Sequence, residues 1–312
     1  MPILTVVGGA NIDIQGFPHA RFLPGDSNPG RIRMSAGGVG RNVSEAAARL
    51  GLSVRFLSVF SRSTLSGLIS ESLQGLGIDT EGSLIVPEGA PPVYLCILDE
   101  GGRLVAAVAD MELAELLTPD WASSIMDRVR GSKLCVVDAN LPKETIMRLV
   151  DRASGTPLLL DPVSATKAAR AKECIGGFHA VKPNVEEAEV LSATGIRTDG
   201  DLGRAAEYFH AKGTRLVFIS LGRRGLFFSD GSVQGIALSP SARVVNVSGA
   251  GDAATAGIAF GIVKDLAVDR IARFAVSAAA LSVESVFTVS PDLRQERVEA
   301  LAREVVIHEP LS

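Results

Sequence analysis

Four short runs, Leu134-Cys-Val-Val137, Pro157-Leu-Leu-Leu160, Phe178-His-Ala-Val181 and Leu216-Val-Phe-Ile219, are separated by stretches of helical periodicity at 143–153, 185–194 and 201–212. A strand that is apolar along its whole length needs cover on both faces, and alternating amphipathic helices supply that cover. The spacing predicts an α/β fold with a mainly parallel sheet covered on both sides. Working outward, 3–7 and 54–59 read as further core strands, and 41–50 and 66–76 carry helical periodicity. Helices at 252–264, 268–283 and 293–305 complete the layers. The first third also holds short Gly/Pro-punctuated stretches at 12–14, 31–35, 93–98 and 104–108. They predict a small β-sheet lid, built from segments around 11–36 and 92–110, on a single domain spanning 1–312.

At 312 residues and 46% hydrophobic content the chain can bury a large core without disulfides or metal. A net charge of −4 provides no basic stripe, which argues against nucleic acid as a partner and leaves a nucleotide or nucleoside open. Cys96, Cys135 and Cys174 are far apart in apolar stretches and read as buried thiols of a reducing compartment. Gly8, Gly9 and Asp13 interrupt the first apolar run, so it reads as a strand rather than a signal peptide. The longest uncharged apolar run, 253–263, is too short to cross a bilayer. A soluble, cytoplasmic protein is expected.

The chemistry concentrates in Asn246-Val-Ser-Gly-Ala-Gly-Asp252-Ala253. Gly249, Ala250 and Gly251 let successive backbone N–H groups face one anion at the start of a helix whose dipole favours it. Asp252 at that helix end is expected to be ionised near neutral pH and able to accept the proton of an attacking hydroxyl. The blander reading is that Ser248 or Asp252 simply caps the helix. Neither a Walker loop nor the protein-kinase signatures occur in the chain.

Other polar groups fall where open α/β folds bind ligands. Asn140 and Asp161 follow or close core strands. In Lys182-Pro-Asn184-Val-Glu-Glu187, Asn184 and Glu187 have the spacing of a capping box; alternatively they hold water around Mg²⁺ on ATP phosphates. Ser220, Gly222 and Gly225 form a strand-to-hairpin turn that lets backbone approach a nucleotide. Asn11 and Asp13 alternate on a strand, share one face, and can hold two adjacent hydroxyls of a sugar. Gly37 and Gly38 open a Gly-rich turn into a helix that carries Asn42, either to reach a ligand or as a tight turn alone.

Taken together, Asn11-Ile-Asp13, Gly37-Gly38-x-x-x-Asn42, Lys182-Pro-Asn184-x-x-Glu187 and Gly249-Ala-Gly-Asp252 resemble the ribokinase-like (PfkB) family of carbohydrate and nucleoside kinases over essentially the whole chain. The resemblance implies a three-layer α/β/α fold with a small β lid, through which two chains pair as a homodimer. It implies ATP and Mg²⁺, with Asp252 as base, the 249–251 amides as anion hole, Ser248, Asn184, Ser220, Gly222 and Gly225 toward the nucleotide, and Asn184 and Glu187 toward the metal. Asn11, Asp13, Gly37, Gly38 and Asn42 would bind the ribose. Within the family, Asp26-Ser-Asn-Pro-Gly30, Asp110-Met111, Asp161-Pro-Val-Ser164 with Lys167, and Pro291-Asp-Leu293 are similar to the bacterial pseudouridine kinases. That likeness implies a nucleoside substrate, pseudouridine, with Ser27 and Lys167 reaching the base, Ser27 from the partner's lid, and Asp110 and Asn140 also on the substrate side. Two departures stand out. Ser248 and Asn246 replace a Thr and an Asp common in the family, and Asn246 removes a charge that could help bind K⁺. Ser61-Arg-Ser63-Thr-Leu-Ser66 replaces Gly-x-Asp-x-x-Gly.

Overall fold

The computed structural model describes residues 3–309. The chain runs β1 (Leu4–Val7), β2 (Asn11–Pro18), β3 (Gly30–Gly37), α1 (Val39–Arg49), β4 (Val54–Leu57), β5 (Val59–Ser61), α2 (Thr64–Gln74), β6 (Leu84–Val86), β7 (Val93–Leu98) and β8 (Leu104–Asp110). It continues through α3 (Pro119–Ser124), α4 (Met126–Arg130), β9 (Leu134–Asp138), α5 (Lys143–Arg152), β10 (Leu158–Asp161), α6 (Ala165–Ala168), β11 (Ala180–Val181), α7 (Val185–Ser192), α8 (Asp199–Lys212) and β12 (Leu216–Ser220). The last third holds β13 (Leu226–Ser229), β14 (Gln234–Ala237), α9 (Ala250–Val263), α10 (Val268–Val283), α11 (Gln295–Ala302) and β15 (Ile307–His308).

Nine strands form the main sheet in the order β15-β14-β13-β12-β11-β10-β9-β1-β4. From β4 to β12 every neighbour is parallel, and β13 to β15 add an antiparallel edge. Alternate residues of one strand feed two separate cores: Leu134 and Val136 pack with α1, α9 and α10, whereas Cys135 and Val137 pack with α5, α7 and α8. That is why these strands are apolar along their length, each buried Leu or Val contributing about 1.5–3 kcal/mol. The fold is the ribokinase-like three-layer α/β/α arrangement.

A four-stranded lid, β3-β2-β7-β8, stands off this body. The stretch 54–59 is not one strand. The chain leaves the main sheet at Ser58, and β5 pairs instead with β6; an unbroken apolar run hides such a switch because both halves are buried. The final helix is shorter than its periodicity predicts, since Leu293 is fully buried from the loop before it.

α9 is buried along almost its whole length. It lies against α10 so closely that a Cβ on Gly257 would sit 2.8 Å from Ala275 Cα, and one on Gly261 2.7 Å from Ile271 Cγ1. Small residues thus fix the helix axis and aim its N-terminus at the carboxyl ends of the parallel strands. Among the described residues no helix is long and apolar enough to cross a membrane.

Candidate active site

Three neighbouring parallel strands end in charged residues at one edge. β9 closes on Asp138, β10 on Asp161, and Lys182 follows β11 directly. Lys182 Nζ lies 3.1 Å from Asp161 Oδ2, with both side chains buried. The Thr255 hydroxyl of α9 donates to the same oxygen at 2.6 Å, and Lys182 Nζ reaches the Gly251 carbonyl at 3.5 Å. Asp161 therefore ties the first turns of α9 to the sheet edge. Burial works against the Lys182 ammonium, but the carboxylates of Asp161, Glu187 and Asp252 outweigh it and hold its pKa above the usual value.

Asp252 sits in the first turn of α9, half-buried, and its Oδ2 accepts the Asn42 carboxamide N–H at 2.8 Å. Desolvation, with a contribution from the Asp161 carboxylate, pushes its pKa up to about 7; the Asn42 hydrogen bond and Lys182 pull the other way. The helix-dipole expectation of a fully ionised group at neutral pH is thus corrected. Burial and the neighbouring Asp161 carboxylate raise it, and a pKa near the working pH suits a general base.

Neither Ser248 nor Asp252 caps α9. Gly249 is the N-cap residue, in the left-handed region at φ 80°, and the helix begins at Ala250. A Cβ on Gly249 would collide with the Thr288 carbonyl, so glycine is required twice over. The Asn246 side chain accepts from the Ser248 N–H at 3.0 Å.

Two clefts lie near this helix start. One, of about 360 Å³, is lined by Asn11, Asp13, Gly38, Asn42, Asn140 and Lys167 among others. Asn11 donates to Asp13 at 2.6 Å, and burial raises the Asp13 pKa. Lys167 donates to Asn140 Oδ1 at 2.6 Å, its pKa lowered by desolvation. The second cleft, of about 540 Å³, includes Ser220, Gly222, Gly225, Ala250 and Gly251. Asp252 itself lines neither cleft, but it is hydrogen-bonded to Asn42, which lines the first, and adjacent to Gly251, which lines the second. A third cleft of about 680 Å³, between the far end of α9 and the helices α10 and α11, holds none of the candidate residues.

Asn184 and Glu187 form a complete capping box on α7. Asn184 Oδ1 accepts from the Glu187 N–H at 2.8 Å, Glu187 Oε2 from the Asn184 N–H at 2.9 Å, and Oε1 from Asn184 Nδ2 at 3.0 Å. Asn184 also bridges to Ser220, which lines the second cleft. Burial raises the Glu187 pKa against the pull of Lys182.

Of the predicted site residues, Gly37, Ser27, Asp110, Ser248, Gly249, Asp252, Asn184 and Glu187 line neither cleft. Gly37 instead leaves room for Asp13, whose carboxylate a Cβ would strike. Ser27 is exposed in the β2–β3 loop; Asp110 is exposed at the end of β8, although its neighbours Ala109 and Met111 line the first cleft. The serines at 61–66 are a capping cluster: Ser63 accepts from the Ser66 N–H at 3.2 Å, and Ser61 Oγ meets Ser63 and Ser66 at 2.9 and 3.0 Å.

Several residues at the site escaped the sequence reading. Asp138 is fully buried, accepts from the Gly9 and Asn140 amides at 2.9 Å, and is pushed up to about 6 by desolvation. It follows an apolar run just as Asp161 does, so the strand-end rule could have found it, and Lys182 likewise. Thr255, and Arg170, which donates to the Asn140 and Leu141 carbonyls at 2.9 Å, leave no such signal.

Residues 1–294 match the family model described as pfkB family carbohydrate kinase. The chain belongs to the pfkB family. It is 31% identical over 299 residues to the pseudouridine kinase of Escherichia coli (strain K12), a match covering 96% of each chain. Among solved structures, a putative sugar kinase from Clostridium perfringens superposes with a TM-score of 0.88 at 33% identity, covering 100% of this chain and 99% of that one. Arabidopsis thaliana ribokinase complexed with ribose and ATP shares the fold, with a TM-score of 0.84 at 22% identity over 97% of this chain and 99% of that one. The protein is a pfkB-family sugar or nucleoside kinase.

Proposed function

We propose that this kinase, one domain with a β lid, transfers the terminal phosphoryl group of ATP to the 5′-hydroxyl of pseudouridine. The observation that carries the reading is Asp252 hydrogen-bonded to Asn42 of one cleft and next to Gly251 of the other, with the amides of 249–251 beside it. Nucleoside in the first cleft and ATP in the second would meet there. The new bond forms between the 5′-oxygen and the terminal phosphorus, the bond from that phosphorus to the bridging oxygen breaks, and ADP leaves. The hydroxyl proton passes to Asp252, and the helix-start amides balance charge on the moving group.

ATP is supported by the nucleotide-sized second cleft and by the ribokinase that shares this fold with ribose and ATP bound. Among the described residues no three acidic, His or Cys side chains are arranged to hold a metal directly, so a divalent cation would arrive with the phosphates. Both Glu187 oxygens already accept hydrogen bonds from Asn184, so the pair would hold Mg²⁺ through water, where the ion neutralises phosphate charge. Asn246 brings no charge and already accepts from Ser248, so K⁺ is no part of the proposal.

Pseudouridine is supported by the 31% identical relative and by the Lys167–Asn140 pair beside the sugar-binding side chains. Ser27, exposed on the lid, is free to reach a partner's cleft. A homodimer through the lid is supported by its bare apolar face, where Ile32 is 71% and Val108 66% exposed. The free thiols Cys96, Cys135 and Cys174 fit a reducing cytoplasm. A ribose-like sugar or another ribonucleoside is the second reading, favoured by Asn11 and Asp13, which would hold the hydroxyls of any ribose. The test is Asp252→Asn. Turnover should fall about 10²–10⁴-fold while nucleoside binding, read by calorimetry, stays close to wild type. Unchanged turnover would remove Asp252 from the mechanism, and binding without turnover in the wild type would favour a silent nucleoside-binding protein.

A further inference from the structure

Arg41 is an expensive residue to place where it is. It is 7% exposed in the first turn of α1, paired with Glu45, itself 6% exposed, and its Nε has no hydrogen-bond partner. A buried ion pair of this kind stabilises a fold no better than apolar residues of the same volume. Arg49 also binds Glu45, at 2.7 Å, so the carboxylate would not be left bare without Arg41. The reason for a guanidinium here lies in its remaining contacts: Nη2 reaches Ser72 Oγ at 3.3 Å, and Nη1 donates to Asn42 Oδ1 at 3.1 Å.

A guanidinium can only donate, so it fixes which end of the Asn42 carboxamide faces it. The oxygen must point to Arg41, and the amino group must then point to Asp252, where it donates at 2.8 Å. Freed from Arg41, the amide could turn over and accept a hydrogen bond from a protonated Asp252. We infer that Arg41 is a positioning residue: it locks the Asn42 amide in the one orientation that favours the ionised, proton-accepting form of Asp252. The inference rests on the kinase reading above. The other charged groups facing Asp252 are Asp161, Lys182 and Asp138, and none of them touches Asn42. Arg41 also lies close enough to Asp13 to favour its carboxylate, which links the lock to the sugar-binding side.

The experiment is the pH profile of kcat/KM for wild type, Arg41→Met and Arg41→Lys, with pseudouridine or whichever substrate the wild type phosphorylates. Wild type should show an acid limb near pH 7. Arg41→Met should move that limb upward by about one pH unit, the size of one hydrogen bond to a charged group, while Arg41→Lys, which still donates, restores it. Should Arg41→Met fail to fold, Arg41→Met/Glu45→Gln removes both buried charges and is expected to show the same displacement. A limb left in place with only a uniform loss of rate or stability would reduce Arg41 to a structural residue and overturn the inference. Absence of phosphoryl transfer in the wild type would instead overturn the kinase reading itself.

Discussion

The Asp252 carboxyl would carry the proposed chemistry, and its burial carries a cost to the fold. On the proposed mechanism its ionised form is the base, so kcat/KM should fall about tenfold for each pH unit below roughly 7. The folded pKa of about 7 lies above the ordinary value of 3.8, so the folded state binds a proton that the unfolded chain has released between those limits. The stability this gives is present below pH 4 and is lost as the pH rises through 7. Asp252→Asn, which cannot ionise, should therefore raise the Tm more at pH 8 than at pH 5 while lowering turnover about 10²–10⁴-fold. Equal Tm changes at the two pH values would show that the carboxyl is not desolvated as described. Sequence made Asp252 legible through the Gly-Ala-Gly before it. Its titration was not legible, because Asp161, Lys182 and Asn42 come from segments as far as 210 residues away.

At the level of elements, what is local in the chain was readable and what joins distant segments was not. The capping box of Asn184 and Glu187 is a spacing rule, and it is formed as the spacing predicts. The parallel strands were found because cover on both faces leaves them apolar at nearly every position. The switch from β4 to β5 at Ser58 was missed because its signal lies in partner choice: Leu84 takes the Ser58 carbonyl in the β5–β6 pair. The serine cluster at 61–66 lines neither cleft. Its work is to start α2, with Ser63 as N-cap. Ser63→Ala is expected to cost about 1 kcal/mol in urea unfolding and to leave KM for both substrates unchanged. A raised nucleoside KM with unaltered stability would show instead that this loop reaches the ligand.

For the whole molecule, the lid is the part whose purpose is least explained by one chain. Its strands β2, β3, β7 and β8 are short of cover, with Ile32, Met34, Leu95, Leu104 and Val108 all exposed. In the proposed homodimer this apolar face would form the interface, and Ser27 at its margin would then serve the neighbouring cleft. Val108→Lys should shift the sedimentation coefficient from that of a dimer to that of a monomer and raise the nucleoside KM. A wild type that sediments as a monomer at micromolar concentration would remove both the dimer and the role of Ser27.

The most direct test of the account is ATP-dependent phosphorylation of pseudouridine, uridine, adenosine, ribose and fructose, measured side by side with Mg²⁺. The account predicts transfer to pseudouridine with the highest kcat/KM, well above uridine, whose base presents a different edge to Lys167 and Asn140. Equal use of uridine, or preference for ribose, would contradict the nucleoside assignment.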